Sequence, residues 1–259
     1  MKLTILQTDI CWENKPANLQ HVQHMLQMLS GSTDLAVLPE MFSTGFSMNI
    51  ETLAEPVEGP TITQLRQWAQ QYQLALAGSY LAIDPSSSAC YNRAFFLTPQ
   101  GESHFYDKRH LFRMGHENDY YTAGTEQSII HYQGWNIKLL ICYDLRFPVW
   151  SRNTNNAYDL LIYVANWPAA RRKAWDILLT ARAIENLAYV CGVNRTGTDG
   201  NQLKYDGGSA VYGPKGETLA SVPDSTSTCA TVQLSLDALR QFREKFPAWQ
   251  DADRFTITF

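Results

Sequence analysis

Short runs of unbroken apolar residues, each cut off by a polar residue or a proline, set the terms for this chain. DLAVLPE at 34–40, KLLIC at 138–142, DLLIYVAN at 159–166 and AYVCGVN at 188–194 are of strand length. Continuous apolarity over so few residues fits strands covered on both faces, as in a sheet buried between other layers. Between these runs lie segments with helical spacing. Leu19, Val22, Met25 and Leu29 mark one over 18–29, and Pro60 opens another through Leu65 and Trp68 to Tyr72. A strongly patterned third runs from about Arg171 to Leu187. Strands and helices interleave in both halves, which predicts an α/β fold with a mixed sheet.

The remaining pattern predicts strands at 2–8, 74–83, 91–98, 102–108, 127–132 and 135–141, with a hairpin turn at 99–101. Residues 109–126 lack periodicity and read as a long surface loop punctuated by Gly115 and Gly124. A helix is expected after Cys142 to about Asn153, and a short one from Leu234 to Phe242. No linker, repeat or low-complexity run divides the chain, so residues 1–259 read as one domain.

Composition removes several classes of function. A net charge of −4 offers no electrostatic footprint for nucleic acid or anionic membrane. No apolar run approaches the ~20 residues that span a bilayer. Asp9 and Glu13 fall too early for the apolar region of a signal peptide. The five cysteines are odd in number and none are closely spaced. That argues against a disulfide framework and for a reducing, cytoplasmic setting. The candidate ligands show no HExxH, CxxC or paired-histidine spacing, so no metal site is expected.

Three chemically loaded residues each follow a predicted strand: Glu40, Lys108 and Cys142. Ligands gather outside strand ends in α/β sheets. Taken singly, Cys142 reads as a small buried apolar residue, and Glu40 and Lys108 as solvated edge residues. Together they supply a base, a fixed cation and a nucleophile, the parts that acyl transfer needs. A thiol at a strand-to-helix junction also meets backbone N–H groups and the positive end of a helix dipole, which favours thiolate.

The chain resembles the nitrilase superfamily of carbon–nitrogen hydrolases over almost its whole length. LPEMFSTGF carries that family's Glu, YDKRHLF its Lys and ICYDLRFP its Cys, in the family's order, and HENDYYTAG carries a second glutamate, Glu117. Within the superfamily the nearest resemblance is to the ω-amidases, which hydrolyse the terminal amide of 2-oxoglutaramate or 2-oxosuccinamate. The resemblance implies a four-layer αββα sandwich and a homodimer, with the tail from about 247 to 259 at the dimer interface. It implies a small-molecule amide substrate and no metal or organic cofactor. It also implies that Glu40 deprotonates Cys142, which attacks the amide carbon. Lys108 and the backbone N–H of Tyr143 would hold the oxyanion, and Glu117 would position Lys108 or the substrate.

Other residues divide between pocket and packing. Asn166 and Trp167 follow a strand and are candidates for the pocket wall, as is Phe46. Asp144 and Arg146 read either as a pair bracing the nucleophile turn or as solvated polar residues. Arg171 and Arg172 sit near a predicted helix N-terminus, where the dipole opposes cations, and are candidates for binding a substrate carboxylate. A carbamoylase, a papain-like Cys–His hydrolase and a non-catalytic binding protein on the same scaffold stand as alternatives. The second would need a histidine at Cys142.

Overall fold

Alternation along the strands decides the layering. The computed structural model describes residues 1–127 and 129–258. Its strands are β1 (Lys2–Gln7), β2 (Leu35–Val37), β3 (Ala75–Ile83), β4 (Cys90–Leu97), β5 (Ser103–Asp107), β6 (Ile130–Tyr132) and β7 (Trp135–Ile141). They continue with β8 (Leu160–Ala165), β9 (Tyr189–Asn194), β10 (Thr196–Thr198), β11 (Lys204–Asp206), β12 (Ala210–Tyr212), β13 (Thr218–Ser221) and β14 (Thr228–Gln233). Two six-stranded sheets have the orders β14-β1-β2-β3-β4-β5 and β13-β12-β9-β8-β7-β6, and β10 and β11 pair by themselves. In each six-stranded sheet, three adjacent strands are parallel (β1 to β3, β7 to β9) and the outer ones antiparallel, so both sheets are mixed.

Leu3 and Ile5 of β1, Val37 of β2 and Phe96 of β4 share a core with Ile137, Leu139 and Ile141 of β7. Their neighbours in sequence, Leu6, Ala36 and Phe95, face the other way into a second core. That second core is closed by Val22 and Leu26 of α1 (Lys15–Leu29), together with Leu65 and Trp68 of α3 (Pro60–Tyr72). The short α2 (Ile50–Leu53) and α4 (Glu117–Tyr120) lie in the loops. On the far side of the second sheet, after α5 (Pro148–Ser151), α6 (Arg172–Asn186) packs Trp175, Leu179 and Ala183. A Cβ at Gly192 of β9 would sit 2.4 Å from Leu179, so only glycine lets α6 lie this close. Helix α7 (Leu236–Lys245) adds Leu239. The result is helix, sheet, sheet, helix in four layers. Each Leu or Trp so buried stabilises the fold by about 1.5–3 kcal/mol.

Several boundaries differ from expectation for local reasons. Helix α1 begins earlier, because the Asn14 side chain caps Ala17 N at 3.1 Å and Pro16 suits the first turn. Cys142 opens a 3-10 turn (Cys142–Arg146) instead of a helix to Asn153, and α5 is a separate single turn. Pro148 forces the break by holding Phe147 extended, at φ −114° and ψ 90°. Residues 109–126 are no plain surface loop. They contain a 3-10 turn at Arg113–Gly115 and α4, and they bury Glu117 completely. Of the strand expected at 127–132, residues 130–132 pair with β7, while Ser128 lies outside the described residues.

Candidate active site

Strand ends from the two opposed sheets meet at one point. Strand β2 continues past its pairing through Leu38 N to Ala77 O (2.7 Å), and Glu40 then leaves the sheet. On the other side β7 ends at Ile141, and Cys142 adopts a left-handed φ of +43°. A non-glycine residue in that region costs of order 1–3 kcal/mol unless its surroundings hold it there. Asp144 supplies much of the hold. Its carboxylate accepts Ile141 N (3.0 Å), His110 N (3.0 Å) and the Tyr106 hydroxyl (2.8 Å). Asp144 is therefore a buried brace, neither solvated nor paired with Arg146.

Lys108 stands directly after β5, with its ammonium fully buried between two carboxylates. Nζ donates to Glu40 Oε1 at 2.9 Å and to both oxygens of Glu117 at 3.0 Å. Glu40 also accepts Asn92 Nδ2 (2.7 Å) on Oε1 and Asn166 N (2.7 Å) on Oε2. Glu117 accepts Asn92 Nδ2 (3.0 Å) and Phe112 N (2.6 Å). Burial alone would push the Lys108 ammonium down, but Glu117 and Glu40 outweigh it and hold the pKa above its usual value. Lys108 is thus a fixed cation at any working pH. Burial raises the Glu117 carboxyl, with Lys108 pulling against it.

The Cys142 thiol is pushed well above the usual range, first by burial and next by the facing Glu40 carboxylate, with Lys108 only partly compensating. This corrects the expectation of a thiolate favoured by a helix dipole. A single 3-10 turn carries little dipole, and burial with the facing Glu40 outweighs Lys108 at the thiol. Cys142 rests as a thiol, 3.9 Å from the Asn166 carbonyl. Its proton has a destination in Glu40. As the second residue of its turn, Tyr143 has an N–H without an intrahelical acceptor, a donor beside the sulfur.

A cavity of about 520 Å³ opens over Cys142 and Lys108. Phe46, Phe112, Tyr143 and Trp167 wall it, and the Phe46 ring lies 5.3 Å from Lys108 Nζ. Arg146 and Arg171 also line it. Their guanidinium groups lie 5.0 Å from the Trp167 ring and 5.1 Å from the Phe112 ring. Neither has an ion-pair partner among the described residues. Glu13 and Asp199 line the cavity too, and both carboxylates accept hydrogen bonds from neutral donors. Glu13 accepts from Ser47 Oγ (2.5 Å) and Asn49 Nδ2 (3.2 Å), and Asp199 accepts from the Tyr205 hydroxyl (2.8 Å). No histidine lines the cavity among the described residues, which removes the Cys–His alternative.

A thiol, a carboxylate and a buried ammonium at the meeting of two mixed sheets are the parts of the resemblance drawn from the sequence. The family model for carbon-nitrogen hydrolase matches residues 2–244. The chain belongs to that family. Omega-amidase YafV of Escherichia coli K12 is 48% identical over 257 residues, covering 99% of this chain and 98% of that protein. The 2-oxoglutaramate amidase of Bacillus subtilis 168 is 30% identical, covering 97% and 98%. Among solved structures, XC1258 of Xanthomonas campestris superposes with a TM-score of 0.96 at 39% identity, covering 100% of this chain and 99% of that one. It is a CN-hydrolase superfamily protein with an arsenic adduct in its active site. The four-layer nitrilase-type fold and a hydrolase acting on carbon–nitrogen bonds follow.

In this hydrolase Glu40, Lys108, Glu117 and Cys142 form one cluster, and Phe46, Tyr143, Trp167 and Arg171 line the cavity above it. Arg172 does not join them. Its guanidinium turns away to Asp176 (2.7 Å), Asp224 (3.0 Å) and Asp206 (3.4 Å), so a residue expected to bind substrate is a tie between α6 and β11. The swap has a simple cause. Arg171 ends a 3-10 turn and Arg172 begins α6, so consecutive side chains leave in different directions. Arg146 takes the place assigned to Arg172. Sequence reasoning does not reach Asn92, which stands beside a second polar residue, Arg93, in the strand YNRAFF, so that polarity alone does not single it out. The contribution of the β10–β11 connection, through Asp199 and Leu203, left no mark in the sequence.

Proposed function

We propose that this hydrolase is a cysteine-dependent ω-amidase, releasing ammonia from the terminal amide of 2-oxoglutaramate or 2-oxosuccinamate through a thioester. The observation that carries this reading is the pairing of the Glu40–Lys108–Cys142 cluster with two guanidinium groups in the same cavity, neither in an ion pair among the described residues. Similarity to YafV and to the 2-oxoglutaramate amidase supports the substrate class.

Glu40 accepts the thiol proton as Cys142 sulfur attacks the amide carbon. The carbonyl oxygen becomes an oxyanion held by Lys108 Nζ and Tyr143 N–H. All three Lys108 hydrogens have carboxylate acceptors at rest, and because Glu117 takes two of them, one can turn to the oxyanion while the other keeps the pairing. Collapse breaks the carbon–nitrogen bond, and ammonia departs with the proton from Glu40. Water, deprotonated by Glu40, then attacks the thioester, restoring the thiol and freeing the dicarboxylate. Glu117 keeps Lys108 in place and attacks nothing. A carbamoylase would release carbon dioxide as well, and product analysis separates the two.

Arg146 and Arg171 hold the distal carboxylate, while Phe46 and Trp167 limit chain length. Arg146→Met or Arg171→Met should raise KM for 2-oxoglutaramate about tenfold or more, since a charge-assisted hydrogen bond contributes roughly 1.5–3 kcal/mol. Both variants should lose far more kcat/KM on the keto-acid amide than on propionamide. Equal losses on the two substrates would refute the carboxylate role.

The chain is read as a single domain pairing with a second copy. Exposed Val149 and Phe255 line one groove beside the tail and support a contact there. No helix among the described residues is long and apolar enough to cross a membrane. Five unpaired cysteines support a reducing, cytoplasmic setting.

A further inference from the structure

We propose that Asn92 is a positioning residue of this hydrolase, one that fixes the carboxylates of Glu40 and Glu117 around Lys108 by giving one N–H to each. The inference rests on the amidase reading in taking Glu40 as the base. It assigns Asn92 a part that neither motif nor spacing supplies.

Asn92 sits on β4 with no exposed surface. Its Nδ2 has two hydrogens and two carboxylate acceptors, Glu40 Oε1 at 2.7 Å and Glu117 Oε1 at 3.0 Å. The direction of this amide is set from behind. Met41 N, which can only donate, reaches Ser79 Oγ at 2.9 Å. The Ser79 hydroxyl therefore turns its own hydrogen to Asn92 Oδ1, at 3.0 Å. With the oxygen engaged, only the NH2 side can face the carboxylates. The chain Met41, Ser79, Asn92 starts one residue from Glu40 and returns to it, tying backbone position to carboxylate position.

Two carboxylates this close repel, and one ammonium cannot neutralise both. Each N–H from Asn92 stabilises an ionised oxygen and so opposes protonation. The charged and titratable groups facing the pair are Lys108 after β5, Cys142 after β7 and Tyr121 after α4, and the last is held to Ser47 O at 2.5 Å. Lys108 is the single cation among them. Asn92 is the neutral bridge that gives each carboxylate one donor beside it.

Asn92→Asp keeps the size and replaces two donors with a third carboxyl group, so the cluster must hold a proton nearer neutrality. A base that protonates more readily is lost earlier as pH falls. On 2-oxoglutaramate at pH 7, kcat should fall about a hundredfold with KM within about threefold, and the acidic limb of kcat/KM should move up by about one unit or more. Ser79→Ala spares both donors but frees the amide to turn, and should move the limb the same way by a smaller amount. An acidic limb that stays at its native position in Asn92→Asp overturns the proposal, whatever happens to kcat. Where Asn92→Asp yields no folded protein, Ser79→Ala carries the test by the same criterion.

A substrate-free readout separates this proposal from the amidase reading. Added negative charge should slow iodoacetamide alkylation of Cys142 at pH 7.5 about tenfold in Asn92→Asp. If the native protein hydrolyses no amide, the amidase reading fails and alkylation decides for Asn92. An unchanged rate would then overturn the bridging role.

Discussion

Cys142→Ala should abolish ammonia release, by more than about a thousandfold or roughly 4 kcal/mol of transition-state stabilisation. Its fold should survive within a few degrees in melting temperature. The replacement removes one sulfur beside a cavity, and the left-handed backbone at 142 is imposed by Asp144, which stays. Selectivity among the cysteines gives a second arm. Cys90 and Cys191 are buried in apolar surroundings with thiols raised by that burial, and Cys229 is partly buried and also raised. Cys11 is exposed but far in sequence from any of the cluster's motifs. Activity should fall in step with alkylation at Cys142 alone, mapped by mass spectrometry. Turnover that persists after full alkylation there would remove the thioester from the mechanism.

Glu40→Gln and Lys108→Met should each lower kcat/KM by several hundredfold or more, the ~3–4 kcal/mol typical of a lost charge at the reacting centre. Their structural costs differ in an instructive way. Every group around the Glu40 carboxylate is a donor: Lys108 Nζ, Asn92 Nδ2 and Asn166 N. A glutamine must point its own NH2 at one of them, whichever way it turns. Lys108→Met leaves two buried carboxylates without a cation and should cost about 3–5 kcal/mol of stability. Combining the two substitutions removes one of those stranded charges. The double variant should therefore melt above Lys108→Met while being little less active than either single variant. Additive losses in activity would place the residues in separate steps.

Much of this site was legible because strand ends announce themselves. An apolar run that stops at Glu40 or Cys142, and an alternating one that stops at Lys108, say where the strands end, and ligands gather outside such ends. Glu117 was legible only through the resemblance, since nothing in a stretch without periodicity says that a carboxylate there is buried. Its burial depends on Asn92, Lys108 and the Phe112 N–H arriving from elsewhere. The arginines show the limit most plainly. The sequence offers Arg171 and Arg172 together near one helix N-terminus, but which one faces the cavity depends on a single turn of 3-10 helix before α6. Arg146 was noticed for a partner it does not have. A guanidinium freed by Asp144's commitment to Tyr106 and His110 cannot be read from the order of residues.

The thiol is the deeper lesson. Strand-to-turn placement suggested a thiolate, yet the balance of burial and two carboxylates against one ammonium reverses the sign. Only distances could decide that. A resting thiol agrees with the chemistry that the family resemblance implies, in which Glu40 takes the proton as Cys142 attacks.

Specificity is where the cavity makes its sharpest demand. On the proposed reading Arg146 and Arg171 bind the distal carboxylate, and their positive charge opposes the ammonium that glutamine carries beside it, where 2-oxoglutaramate has a neutral keto group. The most direct measurement is a competition in one tube. The native protein is given equal concentrations of 2-oxoglutaramate and glutamine, and both are followed by proton NMR. An ω-amidase consumes 2-oxoglutaramate first, with a kcat/KM ratio of at least about a hundred, or ~2.7 kcal/mol of discrimination. Glutamine consumed at an equal or greater rate would contradict the assignment.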